Sequence, residues 1–275
     1  MCDDDAPPDP AVSNPAASNP VALDPAALDP AALDPAALDP RVDWLTVAGD
    51  VASWRSLGLT VTDDGVIPLV GTSIRLVPAS DDPDHSGIVG WALSGPAQPI
   101  SVPTVPDAGT HATEIVGESG AAFDVGGSGE PFDVDGLSTR VVAPMAPLYA
   151  QHPVGASGLD HVVVLTPDLE RTSGAITDVT GCELKRIREV GSMRQGFHRI
   201  GRGGLIVELV ERPDLPAGPA SFWGLVLIVE DLDAACELIG PDLVSAPKDA
   251  VQPGRRIATI RADVGLGLPL ALMTH

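Results

Sequence analysis

The chain has 275 residues, of which 44% are hydrophobic and 20% charged, enough apolar material for a core. Its formal charge of −22 disfavours nucleic acid, whose phosphates need a basic surface, and equally a polybasic membrane contact. With 29 glycines and 28 prolines, strands, turns and loops are expected to outweigh helix.

Residues 1–154 carry four basic and 22 acidic side chains, a net of −18, whereas residues 155–275 carry a net of −4. No apolar run approaches the roughly 20 residues that span a bilayer. The start, MCDDDAPPDP, shows neither the basic n-region nor the apolar h-region of a signal peptide. Cys2, Cys182 and Cys236 are far apart, without CxxC, disulfide framework or structural zinc spacing. The expectation is a soluble, reduced, cytoplasmic protein.

Residues 1–40 contain a near-perfect five-residue repeat, NPVALDPAALDPAALDPAALDP. Proline in every repeat removes a backbone donor that a coil would need. The segment also lacks the apolar surface that would offset its ordering entropy. It is expected to be a disordered tail.

Residues 41–95 read as a degenerate βαβββ module. RVDWLTVAG is a strand, DVASWRSLG a short helix, LTVTDDG, VIPLV and TSIRLVPA three strands, and GIVGWALSG a further strand. Its apolar load predicts that it docks on the C-terminal part of the chain. Residues 96–154, rich in Pro, Gly, Ser and Asp, read as a linker or an eroded half-module.

Residues 155–275 form the last unit, and it is an internal repeat. At an offset of 63, Val162 to Leu165 fall on Leu225 to Ile228, Asp168-Leu169-Glu170 on Asp231-Leu232-Asp233, and LIVELV on LPLALM. Each half reads as strand, helix, then three strands. The first helix is expected to take Thr166 as N-cap with Pro167 at its first position. The second opens on the acids Glu230 and Asp231. MRQGFHRIG and RRIATIR fill the hairpin positions.

Two tandem βαβββ units, the first opening with LDHVVV and closing with VELVE, resemble the vicinal oxygen chelate superfamily of glyoxalase I, extradiol dioxygenases and bleomycin-resistance proteins. AVQPGRRIATIR and FWGL resemble an uncharacterised glyoxalase-like subgroup of high-GC bacteria. The resemblance implies an α+β fold of tandem βαβββ modules whose mixed sheets curl into cups, here preceded by the extra N-terminal module. It also implies a metal site with one ligand from the first and one from the last strand of each half. Those positions fall on His161 and Glu208. Their repeat partners are Gly224 and Ala271, which have no ligating side chain, and the N-terminal equivalents are Trp44 and Arg75.

His161 and Glu208 are also unusual by local physics, because each interrupts an apolar strand. A carboxylate there must be paired, protonated or ligating to offset its desolvation. Three readings stay open: a buried His–Glu hydrogen bond, a divalent ion (Zn, Ni, Mn or Fe) held by the pair, and acid–base or substrate contact without metal. Met193, Gln195 and Phe197 alternate on one sheet face and are candidates to line a pocket. Phe222 and Trp223 are placed to cap its mouth. Arg255 and Arg256 follow a Pro253-Gly254 turn and could bind an anionic group, with solvated edge arginines as the plain alternative. Cys182 and Cys236 read as packing residues.

The favoured function is binding of a small molecule in a cupped cavity with an incomplete metal site. The alternatives are a metal-dependent lyase, isomerase or dioxygenase using His161 and Glu208, and a structural or regulatory protein with a vestigial pocket. Cupped sheets of this kind are completed within one chain or by dimer exchange, so a homodimer stays open.

Overall fold

The structure, a computed structural model, describes residues 39–79, 86–95 and 130–275. The expected tail lies outside the described residues except for Asp39 and Pro40, as does most of the 96–154 stretch.

The N-terminal sheet is built from β1 (Arg41–Ala48), α1 (Val51–Ser56), β2 (Val66–Ile67), β3 (Ser73–Val77), β4 (Gly87–Ser94), β5 (Phe132–Val134) and β6 (Leu137–Val141). Its strand order is β2-β3-β1-β4-β6-β5. LTVTDDG, expected as a strand, is instead a turn-bearing connection. Thr62 donates its N–H to the Val66 carbonyl, and its hydroxyl accepts from the Val66 N–H. A threonine that satisfies the backbone locally competes with a sheet ladder. β4 pairs antiparallel with β1, on the side away from β3. The β5–β6 hairpin then extends the sheet beyond β4 through the turn Asp135-Gly136, both at positive φ (52° and 93°), as a two-residue hairpin turn of the primed type requires.

The C-terminal sheet contains β7 (Ala156–Thr166), α2 (Leu169–Thr180), β8 (Arg186–Val190), β9 (Met193–Arg199), β10 (Ile206–Glu211), β11 (Ser221–Val229), α3 (Leu232–Ile239), β12 (Lys248–Asp249), β13 (Arg256–Thr259) and β14 (Leu270–Met273). The order β12-β13-β14-β11-β7-β10-β9-β8 is that of two βαβββ modules joined by the antiparallel pair β7 and β11. The register bears out the offset of 63. His161 pairs with Val226 and Val163 with Gly224, and the offset carries one pair onto the other. Val162 pairs with Val207 and Leu225 with Leu270, again one offset apart.

Among the described residues all three α-helices open on an aspartate. Asp50, Asp168 and Asp231 each accept the backbone N–H three residues on, at 2.8–3.0 Å. Asp168, not Thr166, is therefore the N-cap of α2, and Leu169 rather than Pro167 its first residue. Likewise α3 begins at Leu232, leaving Glu230 outside. A carboxylate at a helix N-terminus combines the capping bond with a favourable dipole interaction, which a hydroxyl lacks. The Thr166 hydroxyl instead accepts from the Asp168 N–H.

One continuous apolar core takes side chains from both sheets and all three helices. Leu45, Val47, Trp91 and Leu93 enter it from one sheet, Val162, Val164, Leu225 and Leu227 from the other, and Trp54, Ile176 and Leu232 from the helices. Trp91 meets Phe222 edge to face at 5.6 Å. The period-2 alternation of each strand sends the intervening residues to the opposite, outer face of its sheet. There each sheet has a small cluster of its own, Trp44, Ala92 and Val142 on one and Val226, Ala271 and Met273 on the other.

Bulges repeat across the molecule. In β7 the pairing with β11 skips Asp160, and in β11 the pairing with β7 skips Trp223. In β1 the pairing with β4 skips Asp43, and in β4 the pairing with β1 skips Val89. β7 also skips Ser157. In β1, β7 and β11 the extra residue Asp43, Asp160 or Trp223 thus stands next to the position that the resemblance assigned to a ligand. A bulge turns two adjacent side chains toward one face.

Candidate functional site

The outer face of the C-terminal sheet receives His161 from β7 and Glu208 from the neighbouring β10. The parallel register places Ile206 beside His161 and Glu208 beside Val163, so both polar side chains share that face. His161 Nε2 lies 3.4 Å from Glu208 Oε2, with side chains only 11% and 14% exposed. Gln195, on β9, donates from Nε2 to Glu208 Oε1 at 2.8 Å.

Asp160 belongs to the same network. Through the bulge it reaches the outer face together with His161 and accepts from its Nδ1 at 2.7 Å, while its other oxygen meets Arg255 Nη2 at 2.7 Å. Burial works to raise the Asp160 carboxyl, but the hydrogen bonds from His161 and Arg255 and their charges outweigh it and hold the group below the usual carboxylate range. An ionised Asp160 can only accept, so Nδ1 must be the protonated ring nitrogen. Nε2 faces Glu208. Burial pushes the Glu208 carboxyl above its ordinary value, opposed by the His161 and Arg188 charges and reinforced by that of Asp160. An approach of 3.4 Å between Nε2 and Oε2 needs one proton between them, carried by the imidazole or by the carboxyl group.

The other half of the face is apolar. Ala271 lies beside Val226, in an apolar cluster with Met273 and Ile257. Gly224 does not leave an open ligand position. A Cβ built there would stand 2.8 Å from the Pro269 carbonyl oxygen, because β14 enters the sheet at that point and Leu225 donates to the same oxygen. The glycine is needed for the close backbone approach.

Of the remaining candidates, Met193 and Phe197 share the outer face with Gln195 and are half-buried. The Arg186 guanidinium stands 5.3 Å from the Phe197 ring. Trp223, at its bulge, is 48% exposed. Arg255 joins the network through Asp160. Arg256 does not, since it pairs with Asp233 on α3 at 2.6 Å. His198 faces the helix layer, with Nδ1 on the Cys182 carbonyl and Nε2 on the Ser173 hydroxyl, both at 3.0 Å. Two cavities lie elsewhere: one of about 40 Å³ on the outer face of the N-terminal sheet, and one of about 350 Å³ between Pro68–Val70, Tyr149–His152, Gly155–Ser157 and Glu230. No helix among the described residues is long and apolar enough to cross a membrane.

No protein-family model matches this chain, and no curated protein matches it in sequence. Solved structures do. A mutant 4-hydroxymandelate synthase from Streptomyces coelicolor is similar with a TM-score of 0.53 at 15% identity, over 85% of this chain and 92% of its own. The 2,2',3-trihydroxybiphenyl 1,2-dioxygenase of Sphingomonas wittichii is similar with a TM-score of 0.52 at 13% identity, over 86% and 91%. Both similarities extend over most of the chain, well beyond the C-terminal repeat, and both proteins have the tandem βαβββ architecture described above. The chain therefore has the vicinal oxygen chelate fold.

Proposed function

We propose that the outer face of the C-terminal sheet binds a small molecule against a polar wall of His161, Glu208 and Gln195, without a resident metal. The observation that supports this reading is the closed pairing of His161 Nε2 with Glu208 Oε2 at 3.4 Å, backed by Asp160 and Arg255. The fold family's divalent metal calls for one donor from each of four strands. Here two of those positions are Gly224, packed against the Pro269 carbonyl, and Ala271. Asp160, the other nearby carboxylate, is engaged by Arg255 and His161 Nδ1. Among the described residues no three His, Cys, Asp or Glu side chains converge to hold an ion. The donor set does not fit the metal.

A sheet face with a polar patch beside an apolar cluster suits a ligand that offers a polar edge to Glu208 and His161 and an apolar body to Val226, Ala271 and Met273. Calorimetric titration with manganese, nickel and zinc salts tests the metal-free half of the reading. No micromolar binding is expected; micromolar binding to wild type that is lost in His161→Ala would overturn it. A ligand-observed NMR screen of small phenols and carboxylic acids, repeated on Glu208→Ala, tests the other half. Hits that persist undiminished in the variant would place binding elsewhere.

A further inference from the structure

The N-terminal sheet repeats the register of the C-terminal sheet with different chemistry. Trp44 pairs with Ser73 and Thr46 with Arg75, as His161 pairs with Ile206 and Val163 with Glu208. Arg75 therefore occupies the place of Glu208, and a cation replaces a carboxyl group on the outer face. Its guanidinium carbon lies over the Trp44 ring, 3.6 Å from the centroid. Nη2 meets the Met145 sulfur at 3.0 Å, a weak acceptor. Among the described residues no carboxylate comes within ion-pair distance of Arg75, while the nearby Asp43 is paired with Arg41. Burial holds the Arg75 guanidinium below the ordinary arginine range, with Asp64 and Asp43 opposing from a distance.

The cavity of about 40 Å³ opens beside this guanidinium, lined among others by Arg41, Thr72, Arg75, Met145 and Leu148. A water needs roughly 10–15 Å³, so there is room for a head group of a few heavy atoms. The guanidinium presents a planar fork of N–H donors that matches a carboxylate, and stacking on Trp44 holds that fork in place. Leu148, 41% exposed, and Met145 form an apolar rim. Asp43 also lines the cavity, and its charge disfavours a dianion there.

We propose that this outer face is a second binding site, taking a small aliphatic monocarboxylate with its head group on Arg75 and its tail over Met145 and Leu148. The reading is independent of the function proposed for the C-terminal sheet. Butyrate, titrated calorimetrically into the full chain, should bind saturably with a Kd on the order of 1 mM, the range open to so small a ligand. Butylammonium and inorganic phosphate should bind at least about tenfold more weakly, lacking the fork match or carrying excess charge. Arg75→Gln should weaken butyrate by about tenfold or more, and Arg75→Lys should fall between. A wild-type measurement guards against a misfolded variant. Of the four tryptophan indole resonances, the one missing in Trp44→Phe should shift saturably with butyrate. Non-saturable binding, phosphate binding as tightly as butyrate, undiminished binding in Arg75→Gln, or an unmoved Trp44 resonance would each overturn the proposal.

Discussion

Asp135 ties the β5–β6 hairpin to the start of α2, and substitutions there should report how firmly the two sheets are joined. Its carboxylate accepts from Arg171 Nε at 2.7 Å and from the Thr172 hydroxyl, while its backbone carbonyl accepts from the Ala220 N–H. Asp135→Ala removes both side-chain bonds. The Arg171 pair is partly exposed, 43% on the arginine side, so it contributes no more than about 0.5–1 kcal/mol. The buried Thr172 hydroxyl keeps an alternative acceptor in the Asp168 carbonyl at 3.1 Å, so losing its carboxylate partner costs about 1 kcal/mol. The backbone φ of 52° adds about 1 kcal/mol for alanine, which lacks the local hydrogen bonding that lets aspartate tolerate the left-handed region. The total is about 3 kcal/mol. Asp135→Gly should lose about 2 kcal/mol, since it escapes the left-handed penalty. Asp135→Asn, which keeps one acceptor oxygen and tolerates the turn, should lose about 1 kcal/mol. Urea denaturation reads the series as falling midpoints at constant slope. An alanine variant as stable as the asparagine variant would refute the reasoning, because neither the turn strain nor the paired oxygen would then matter.

Gly224→Ala should destabilise by about 1–3 kcal/mol, because its Cβ would press on the Pro269 carbonyl and β14 must move. Gly174→Ala in α2, where a Cβ meets nothing within 4 Å, should stabilise by about 0.5–1 kcal/mol; thermal melts of both variants check the contrast. Burial holds His198 below the ordinary histidine value, so on acidification the unfolded chain binds this proton before the native state does. Stability should therefore fall as the pH drops below about 6.5, and His198→Gln should lose less over the same window in urea titrations. Glu208, raised by burial, contributes with the opposite sign. Its native-state proton is kept while the unfolded group ionises, so this contribution is present below about pH 4.3–4.5 and fades as pH rises through the folded value. Glu208→Gln should flatten that decline.

The doubled module is legible because both halves keep their apolar runs and their helix-opening aspartates at one spacing, and pairing follows from that. That His161 and Glu208 share a face is equally legible, since each is the polar interruption of an apolar strand and the two strands are neighbours in the module. Asp160 is not legible, because period-2 reading assumes a regular strand and would send it to the face opposite His161. Only the bulge brings the two together. The β5–β6 hairpin is also hard to read, being short and set in a polar, proline-rich stretch, although Asp135-Gly136 between Phe132–Val134 and Leu137–Val141 is a turn signal. The constraint on Gly224 depends on where Pro269 arrives from 45 residues away, and local pattern holds no trace of it. The same is true of Arg256, which pairs with Asp233 across the α3–β13 contact.

The recurring bulge bears on how the chain tolerates insertion and deletion. Within the paired runs of these strands, removing one residue slips the register and exchanges inner for outer side chains along the rest of the strand. Asp43, Val89, Asp160 and Trp223 stand outside the pairing ladder, so excising any of them leaves the partners on both sides able to pair as before. Excision of Asp160 would strip the support from His161 Nδ1 without displacing the ring from its strand, while excision of Trp223 would clear the exposed indole beside Gly224. At these four positions, length change can alter an outer face while the core-facing residues keep their partners.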